Sequence, residues 1–367
     1  MTEKEYLEQA FLLAKKANPK LIRPNPFVGA IVVCENGKIV GEGYHQKAGE
    51  AHAEVNAINN AISNGTDLSK STLYVTLEPC SHTGKTPPCT NLIIEHKIPH
   101  VVIGALDPNP VVSGVEILEQ NGVKVTKLLL PEISNMNDVF NINQVKKRPK
   151  YIIKSATTLN GKIADRNGES KWISNKKSRA FVHQNLRPSV DAILSTAKTI
   201  IRDNARLNIR HGDGSIDELN TIVIDQQLDL LKEENTSLSI LNVRTNSTLY
   251  IVTNKEDLPA VPNYIQFLKV GFVSNDIDFQ ALHSILLSKN ICSVLVEAGA
   301  KLNATLLYSK SIDEIYSFIC PSIISDTNSK NVYEQDLEQT MEHKTNLTLV
   351  GISQFDEDIL VHYKVLD

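Results

Sequence analysis

The sequence predicts a protein of two α/β domains, and three observations lead to this fold class. The chain has 367 residues, enough for two domains of about 150 residues each. Hydrophobic residues make up 41% and charged residues 22% of the chain, as in globular proteins that bury a core. Both halves alternate between helical and strand-like patterns, and a basic, proline-containing segment at 146–150 separates them. We therefore expect domains at 1–146 and 147–367.

The first half has the pattern of a mixed sheet with helices on both faces. Apolar residues recur with helical spacing at Leu7, Ala10, Phe11 and Ala14, which predicts a helix over 4–17. The pair Asn36-Gly37 lies between apolar runs at 27–33 and 38–43 and predicts a hairpin. The elements expected after it are helices over 52–63, 90–96 and 114–121 and strands over 72–77, 101–105 and 123–128.

The second half repeats the alternation and predicts another α/β domain. The expected strands lie near 151–157, 192–194, 221–225, 249–253, 293–297 and 314–319, and the expected helices near 175–186 and 279–289. The polar stretch 325–339 predicts a surface excursion. The basic residues of segment 146–150 predict a solvated linker with few core contacts.

Charge and hydropathy argue against several classes of partner. The net charge is −4 and the pI about 6.2, whereas nucleic-acid binders usually carry a basic excess. No apolar run approaches the length of about 18 residues that a membrane span needs. The first residues lack the apolar core of a signal peptide. We therefore expect a cytoplasmic protein that binds neither nucleic acid nor membrane.

The five cysteines are too few and too unevenly spaced for a disulfide framework. Cys34, Cys292 and Cys320 fall in apolar, strand-like runs, which predicts buried thiols. Cys80 and Cys89 lie outside such runs, which makes them candidates for chemistry.

A zinc site is the chemistry that these two cysteines favour. His52 and Glu54 form a His-x-Glu motif, Cys80 follows Glu78-Pro79, and Cys89 comes nine residues later. One imidazole and two thiolates are three protein ligands, which leaves the fourth position of a catalytic zinc ion open for water. Zinc lowers the pKa of such a water toward about 7, and Glu54 could then carry a proton from the water to a departing amine.

The alternative is a structural zinc site, which would recruit a fourth protein ligand, and His82 could supply one. We also expect His52 and Cys80 to begin helices, because a helix N-terminus favours a thiolate. The order of His-x-Glu, Pro-Cys and a second cysteine matches the signature of zinc deaminases, apart from the longer spacing of the cysteines.

That longer spacing is part of a specific resemblance. The segment LEPCSHTGKTPPC at 77–89, together with PNPFVG at 24–29, GEGYH at 41–45 and DPNP at 107–110, resembles the bifunctional riboflavin-biosynthesis deaminase/reductase family. The resemblance covers nearly the whole chain. It implies a cytidine-deaminase-like three-layer domain followed by a dihydrofolate-reductase-like domain. It also implies a substrate that is a diaminopyrimidinone bearing a ribosylamino phosphate.

For the first domain, the resemblance implies that His52, Cys80 and Cys89 hold zinc and that Glu54 moves protons. It implies substrate contacts at Asn25, His45, His82, Lys85, Asp107 and Asn109. An asparagine side chain can meet both the donor and the acceptor edge of a pyrimidine, and Lys85 could pair with the substrate phosphate. For the two asparagines, turn formation beside proline is the alternative.

The second half carries no Gly-x-Gly-x-x-Gly motif. A strand that ends at Glu297 is followed by Gly299 and a helix, and such a helix N-terminus can receive a phosphate. On its own this pattern is common in α/β domains. The segments 154–164, 170–174 and 199–210 resemble the reductase half of the same family, which uses NADPH.

The resemblance implies substrate contacts in the second domain at Ser170, Arg187, Leu207, Arg210 and Glu297. It implies NADPH contacts at Ala156, Trp172, Thr199, Asp203 and a turn formed by Gly299, Ala300, Lys301, Leu302, Asn303, Ala304 and Thr305. Arg187 and Arg210 fit bidentate binding of a phosphate, with a surface ion pair as the alternative. Trp172, the only tryptophan, could instead pack in the core.

The main hypothesis is thus a two-step enzyme that deaminates the pyrimidine and then reduces its ribosyl group to ribityl. Among its partners we expect a second copy of the chain, in a homo-oligomer. A deaminase with a degenerate reductase domain is the alternative. A deaminase that edits nucleic acid is disfavoured, because aromatic residues are only 5% of the chain and do not alternate with basic ones.

Overall fold

The computed structural model describes residues 1–82, 87–242, 244–273, 276–334 and 340–366. The chain divides into two compact units, Met1–Lys147 and Arg148–Asp367. Each unit has its own main β-sheet and its own hydrophobic core. Within the described ranges no helix is long and apolar enough to cross a membrane.

The first unit is built around a five-stranded sheet of order β2-β1-β3-β4-β5. Its strands are β1 (Gly29–Cys34), β2 (Ile39–Tyr44), β3 (Ser71–Val75), β4 (His100–Ile103) and β5 (Lys124–Lys127). Its helices are α1 (Glu3–Ala14), α2 (Pro19–Ile22), α3 (Ala53–Ser63), α4 (Cys89–Glu95), α5 (Gly114–Gln120), α6 (Pro131–Met136) and α7 (Asp138–Lys146). Strand β1 is antiparallel to β2 and β3, whereas β3, β4 and β5 are parallel.

Helices α1 and α3 cover opposite faces of this sheet. A Cβ atom on Gly29 of β1 would lie 2.0 Å from the Ala10 carbonyl oxygen of α1. A Cβ atom on Gly43 of β2 would lie 2.4 Å from the Ala57 amide nitrogen of α3. Gly43 pairs with Ala30, the residue after Gly29, and successive residues of a strand face opposite sides. The predicted mixed sheet with helices on both faces is therefore confirmed.

The hairpin predicted from Asn36-Gly37 joins β1 to β2. Gly37 has φ +80°, a conformation that glycine adopts without strain, and its amide donates to the Cys34 carbonyl at 2.8 Å. The prediction that Cys34 is a buried thiol is wrong. This residue ends β1 half-buried, and its thiol donates to the Asn36 Oδ1 atom at 2.9 Å. Cys292 and Cys320 are buried, as predicted.

The second unit contains a nine-stranded sheet of order β13-β12-β11-β8-β16-β6-β17-β20-β19. The strands of the second unit, nine of which form this sheet, are β6 (Lys150–Thr158), β7 (Lys162–Ala164), β8 (Ala192–Thr196), β9 (Ile209–Arg210), β10 (Ile216–Asp217), β11 (Asn220–Ile224), β12 (Leu249–Thr253), β13 (Ile265–Lys269), β14 (Phe272–Val273), β15 (Asp276–Ile277), β16 (Ser293–Val296), β17 (Glu314–Cys320), β18 (Lys330–Asn331), β19 (Leu347–Phe355) and β20 (Asp358–Val365). Its helices are α8 (Lys176–Phe181), α9 (Ala197–Asp203), α10 (Phe279–Ser288) and α11 (Ala300–Tyr308).

This sheet is parallel from β13 to β17 and antiparallel from β17 through β20 to β19. A separate apolar core lies on each face, because residues alternate along the strands. On β6, for example, Ile152 belongs to one core, and Tyr151 and Ile153 belong to the other.

Several parts of the second unit differ from the predicted elements, among them α9 and β13, which lie where no helix or strand was predicted. The helix expected over 175–186 is shorter, because α8 ends at Phe181 and a π-helical turn, Val182–Leu186, follows it. The hairpin of β19 and β20 lies beyond the last strand that was predicted. In the polar stretch 325–339, Lys330–Asn331 pairs with β7, while 335–339 lies outside the described residues.

The prediction of a solvated linker at 146–150 is wrong for two of its basic residues. The Arg148 guanidinium donates to both carboxylate oxygens of Asp313, at 2.6 and 2.8 Å. The Lys150 Nζ atom donates to Glu314 at 2.7 Å. All four residues are buried, because carboxylates at the start of β17 compensate the positive charges. Residues 148–150 are thus part of the second unit's structure.

We expect Arg148→Ala to lower the free energy of unfolding of the second unit by about 3–5 kcal/mol, because it removes the guanidinium that compensates the charge of the buried Asp313 carboxylate. Urea unfolding of the full chain measures this. The matched control is Arg166→Ala, which removes an arginine that pairs with Asp326 at the surface and should change stability little. Similar losses in both variants would contradict a buried ion pair.

Candidate active sites

Three metal-ligating side chains meet beside α3 and α4. His52 is the N-cap residue of α3, Cys89 is the first residue of α4, and Cys80 lies in the loop after β3. The His52 Nδ1 atom is 3.5 Å from the Cys80 Sγ atom and 3.4 Å from the Cys89 Sγ atom. All three ligand atoms lie within 4.8 Å of one another.

These distances fit a zinc ion. Zinc–nitrogen and zinc–sulfur bonds of about 2.1 and 2.3 Å place tetrahedral corners about 3.6 Å apart, close to the spacing of the three atoms. Among the described residues, no fourth histidine, cysteine or carboxylate joins this group, and His82 lies outside it. A three-ligand site of this kind leaves a position for a reactant, as in catalytic zinc sites.

The two cysteines differ in their surroundings. Cys80 was expected to begin a helix, but it lies in a loop, and Cys89 begins the helix instead. Cys80 is nevertheless close to the N-terminus of α4, because its Sγ atom accepts the Cys89 amide at 3.3 Å. A hydrogen bond from the Cys89 thiol lowers the pKa of Cys80 to about 4, while the same contact and burial raise the pKa of Cys89. Cys80 is thus a thiolate at neutral pH.

Glu54 lies in the first turn of α3, only 3% exposed. Burial raises its pKa to about 7, and the negative charge of Cys80 adds to the effect, while His52 opposes it. A carboxyl group with this pKa can accept and release a proton near neutral pH. Its position two residues after His52 brings it to the cysteine cluster, where it contacts Cys89.

Two of the predicted substrate residues, Asn25 and His45, contact each other. The Asn25 Nδ2 atom lies 3.0 Å from the His45 Nε2 atom, and the His45 Nδ1 atom lies 3.2 Å from the Ala51 carbonyl oxygen. A neutral imidazole that donates from Nδ1 and accepts at Nε2 satisfies both contacts. Burial lowers the pKa of His45, which favours this neutral form.

The predicted residues Asp107 and Asn109 form a turn. Asp107 accepts the Asn109 amide at 2.8 Å, and Asn109 accepts the Val111 amide at 3.2 Å. The Asn109 side chain thus stabilises a turn, which was the alternative to a substrate contact. Of the remaining predicted residues, His82 is exposed, and Lys85 lies outside the described residues.

Glu78, which was not predicted as a site residue, ties this turn to the cysteine loop. Its buried carboxylate accepts the amides of Asp107, at 3.3 Å, and Val115, at 3.0 Å. A sequence signal existed, because a carboxylate directly after the buried strand run 72–77 needs hydrogen-bond partners.

The second unit has a cavity of about 320 Å³ near the carboxyl ends of β8 and β16, where parallel sheets usually bind ligands. Ten of the predicted residues line it: Ala156, Ser170, Trp172, Arg187, Thr199, Asp203, Leu207, Glu297, Gly299 and Asn303. The predicted residues that do not line it are Arg210, Ala300, Lys301, Leu302, Ala304 and Thr305.

The segment Gly299–Thr305 was expected as a turn but forms the beginning of a helix. Gly299 is the N-cap residue of α11, and no side chain caps this end. A Cβ atom on Gly299 would meet only the Thr199 Oγ1 atom, at 3.9 Å. The open helix N-terminus therefore faces the cavity, a geometry that suits a cofactor phosphate. The Leu302 side chain packs in the core.

Arg187 and Glu297 form a buried ion pair in the cavity wall. The Arg187 Nε and Nη2 atoms donate to the two Glu297 oxygens at 2.7 and 3.0 Å, and Nη1 donates to the Asn208 carbonyl. Burial alone would raise the pKa of Glu297, but Arg187 outweighs it and lowers the pKa to about 2. Arg187 therefore forms no surface ion pair, because it is buried. It is also not open to bidentate binding of a phosphate, because Glu297 and the Asn208 carbonyl occupy its N–H groups.

Two other predicted residues have unusual local settings. Leu207 is buried with φ +49°, and a non-glycine residue in this left-handed region is strained, as residues at ligand sites often are. Trp172 is 72% exposed, so its alternative role in core packing is wrong, and the Arg179 guanidinium lies 4.3 Å from the centroid of its ring.

Lys154 also lines the cavity and was not predicted as a site residue. It stands within the apolar strand β6, and burial lowers its pKa. The sequence signal for Lys154 was its position directly after the apolar run Tyr151–Ile153, since a lysine in a buried strand is rare without a role.

Two family models match the chain. The cytidine and deoxycytidylate deaminase zinc-binding region matches residues 1–105, and the RibD C-terminal domain matches residues 149–361. The fold and the two sites thus define a zinc-dependent deaminase joined to a reductase.

Relatives extend the match over the full length. The riboflavin biosynthesis protein RibD of Actinobacillus pleuropneumoniae is 36% identical over 100% of this chain and 96% of its own length. That of Aquifex aeolicus is 35% identical over 99% and 98%. A crystal structure from Thermotoga maritima, of a diaminohydroxyphosphoribosylaminopyrimidine deaminase/5-amino-6-(5-phosphoribosylamino)uracil reductase, has a TM-score of 0.80 at 34% identity and covers 99% of both chains.

The chain belongs to the RibD family. It is a bifunctional enzyme of riboflavin biosynthesis, with a zinc-dependent deaminase domain and an NADPH-dependent reductase domain. The predicted fold classes of the two domains are confirmed.

We expect Cys80→Ser and Cys89→Ser to lose zinc, whereas Cys34→Ser keeps it, because a serine hydroxyl is a poor zinc ligand. Metal analysis of the three purified variants checks this. Cys34 is the matched control, since it is a half-buried thiol outside the cluster. Equal zinc content in all three variants would mean that the ligand set is wrong.

Proposed function

We propose that the first domain, residues 1–146, deaminates a diaminopyrimidinone that carries a ribosylamino phosphate, and that His52, Cys80 and Cys89 hold its zinc ion. The observation that carries this proposal is the buried Glu54 carboxyl group beside the three-ligand cluster. We propose a cytoplasmic location as well, because the cluster needs its cysteines as free thiols, and a reducing compartment maintains them.

Glu54 is the proton carrier in this proposal. When bound, zinc would acidify a water molecule and lower its pKa toward about 7. Glu54 takes a proton from the attacking water and delivers it to the amino group. A carbon–oxygen bond forms, the carbon–nitrogen bond breaks, and ammonia leaves. A pKa of about 7 suits both transfers, since the group must accept a proton and then release it.

The substrate contacts proposed for the first domain are Asn25, His45, His82, Lys85, Asp107 and Asn109. The neutral His45 accepts a hydrogen bond from the Asn25 side-chain amide, and this contact fixes the orientation of the amide toward the pyrimidine edge. The side-chain carbonyl oxygen of Asn25 remains as an acceptor for the base. The turn at Asp107 and Asn109 holds its residues through Glu78.

For the second domain, residues 147–367, we propose that NADPH supplies a hydride that reduces the ribosyl group of the deaminated product to ribityl. Ser170, Arg187, Leu207, Arg210 and Glu297 would contact substrate. Ala156, Trp172, Thr199, Asp203 and the segment Gly299–Thr305 would contact the cofactor. In that segment the amides of Ala300, Lys301 and Leu302 at the helix N-terminus would face the cofactor, while Ala304 and Thr305 continue the helix. Arg187 orients Glu297 rather than binding phosphate itself.

We expect Glu54→Gln to keep zinc and to lose deamination by about 10²–10⁴-fold, because the amide cannot carry the proton. Wild-type protein and variant are incubated with the phosphorylated diaminopyrimidinone, with and without NADPH, and products are identified by mass. The wild type should yield the uracil without NADPH and the ribityl product with it.

The variant is also given the deaminated substrate, which it should reduce at the wild-type rate. This serves as its control, because the cavity of the second unit is unchanged. Full deamination by Glu54→Gln would remove Glu54 from the proposed mechanism. Failure of the wild type to oxidise NADPH with the uracil would favour the deaminase with a degenerate reductase.

We further propose that the protein is a homo-oligomer in which a second copy covers the β19–β20 face, formed by Leu347, Leu349, Ile352 and Ile359. These side chains share one face, because Leu349 pairs with Tyr363 and Ile352 with Val361. Strand β19 is the edge of the sheet and carries no charged residue. Edge strands that stay monomeric usually carry charges or proline, and an uncharged antiparallel edge is complementary to its own copy.

We expect Ile352→Lys to reduce the oligomer to smaller species, because it places a charge at the centre of this face. Analytical ultracentrifugation measures the mass. Ser353→Lys is the matched control, since Ser353 is also exposed but points to the opposite face. An unchanged mass for Ile352→Lys, or a wild-type monomer, would contradict this interface.

A further inference from the structure

The π-helical turn Val182–Leu186 places a buried histidine between two arginines. His183 is 8% exposed, and the turn leads directly to Arg187. Turns of this type are rare and frequently occur at functional sites. His183 is absent from the set of residues with a proposed role in either reaction.

The contacts of His183 are almost entirely with arginine donors. Its Nε2 atom accepts from the Arg210 Nε atom at 3.2 Å, and its Nδ1 atom lies 3.1 Å from the Arg210 backbone nitrogen. The Arg187 Nη1 atom is 3.5 Å from Nδ1. The imidazole therefore holds the Arg210 guanidinium at Nε2 and borders Arg187.

The charges around this cluster are strongly positive. Arg179, Arg187, Arg206 and Lys154 act on His183 or Arg210, and the compensating carboxylate acting on both is Glu297, which is already paired with Arg187. Burial and the neighbouring Arg187 and Arg210 lower the pKa of His183 to about 4, so it is neutral. A neutral imidazole has one lone pair for the three arginine N–H groups around it. The cluster is thus rich in donors and short of acceptors.

An anion supplies the acceptors that the cluster needs. Arg210 lies on the short strand β9 and is exposed. Within the described part of the chain, neither of its Nη atoms has a hydrogen-bond partner, whereas its Nε atom is held by His183. A guanidinium fixed in this way presents its terminal N–H groups as a pair, which suits a phosphate. Holding the long side chain in place also reduces the rotamer entropy lost on binding.

We propose that His183 is a positioning residue that holds the Arg210 guanidinium, as a neutral imidazole, for the phosphate of the reductase substrate. This rests on the proposed reduction of a phosphorylated substrate. It deepens that proposal, because it assigns phosphate recognition to an arginine–histidine pair and leaves Arg187 to Glu297.

The test uses the full-length, zinc-loaded protein and His183→Phe, which keeps a ring and removes the acceptor nitrogen. NADPH oxidation is followed with the deaminated substrate and with its dephosphorylated counterpart. We expect KM for the phosphorylated substrate to rise about ten-fold or more, as for one lost hydrogen bond to a charged group. The kcat value and both constants for the dephosphorylated substrate should stay close to wild type.

Two further variants sharpen the result. His183→Gln places an amide oxygen where Nε2 accepts from Arg210 and should restore part of the affinity. His283→Phe is the matched control, because His283 is an equally buried histidine on the other face of the sheet, against Tyr151 and Phe279. It should leave both KM values unchanged. An equal rise in KM for both substrates in His183→Phe would overturn the proposal.

A binding experiment separates this inference from the proposed reaction. Trp172 is the only tryptophan and lines the cavity, so its fluorescence reports on the second unit alone. Ribose 5-phosphate is titrated into wild type and His183→Phe. Weaker binding by the variant supports the role of His183 even if the wild type oxidises no NADPH. Equal binding overturns it, whatever the activity.

Discussion

The close contact between α3 and strand β2 is the constraint on which the deaminase site depends. Gly43 allows the helix backbone to approach the strand to a distance that a side chain would block. The N-terminus of α3 then has one possible position, and it carries both His52 and Glu54. The proposed metal ligand and the proposed proton carrier are thus fixed relative to each other by a single turn of helix.

Two buried glutamates show how the same side chain serves opposite purposes. His52 compensates the burial of Glu54 only in part, and the pKa of Glu54 rises to about 7. The Glu297 side chain is also mostly buried, with 13% of it exposed, but Arg187 holds it as a carboxylate with a pKa of about 2. The difference follows from the partner and not from the depth of burial. One group can therefore exchange protons at neutral pH, whereas the other supplies a permanent negative charge in a cationic wall.

Short-range patterns in the sequence predicted much of this molecule. The Asn36-Gly37 hairpin and the alternation of helices and strands follow from local residues, while the convergence of His52, Cys80 and Cys89 follows from the order of residues in the zinc-deaminase signature and from the family resemblance. The ion pair between Arg187 and Glu297 did not, because its members are 110 residues apart. Their contact depends on the strand order β8-β16-β6, which local patterns do not specify.

The errors have the same physical origin. The basic residues at 148 and 150 have the composition of a linker, and only Asp313 and Glu314, far along the chain, make their burial possible. The π-helical turn after Phe181 differs from an α-helix by one residue in its hydrogen bonding, which composition does not reveal. The edge strand β19 alternates poorly because it contains a bulge between Leu349 and Gly351.

The Glu78 carboxylate has a consequence for the first unit as a whole. It directly precedes the Pro79-Cys80 pair, and it accepts the amides of Asp107 and Val115. Any free energy that metal binding contributes to ordering the cysteine loop therefore also orders the turn at Asp107. By thermodynamic reciprocity, a ligand that holds this turn raises the affinity of the cluster for its metal. A metal ion at the cluster and a ligand at this turn would thus stabilise the same loop of this domain.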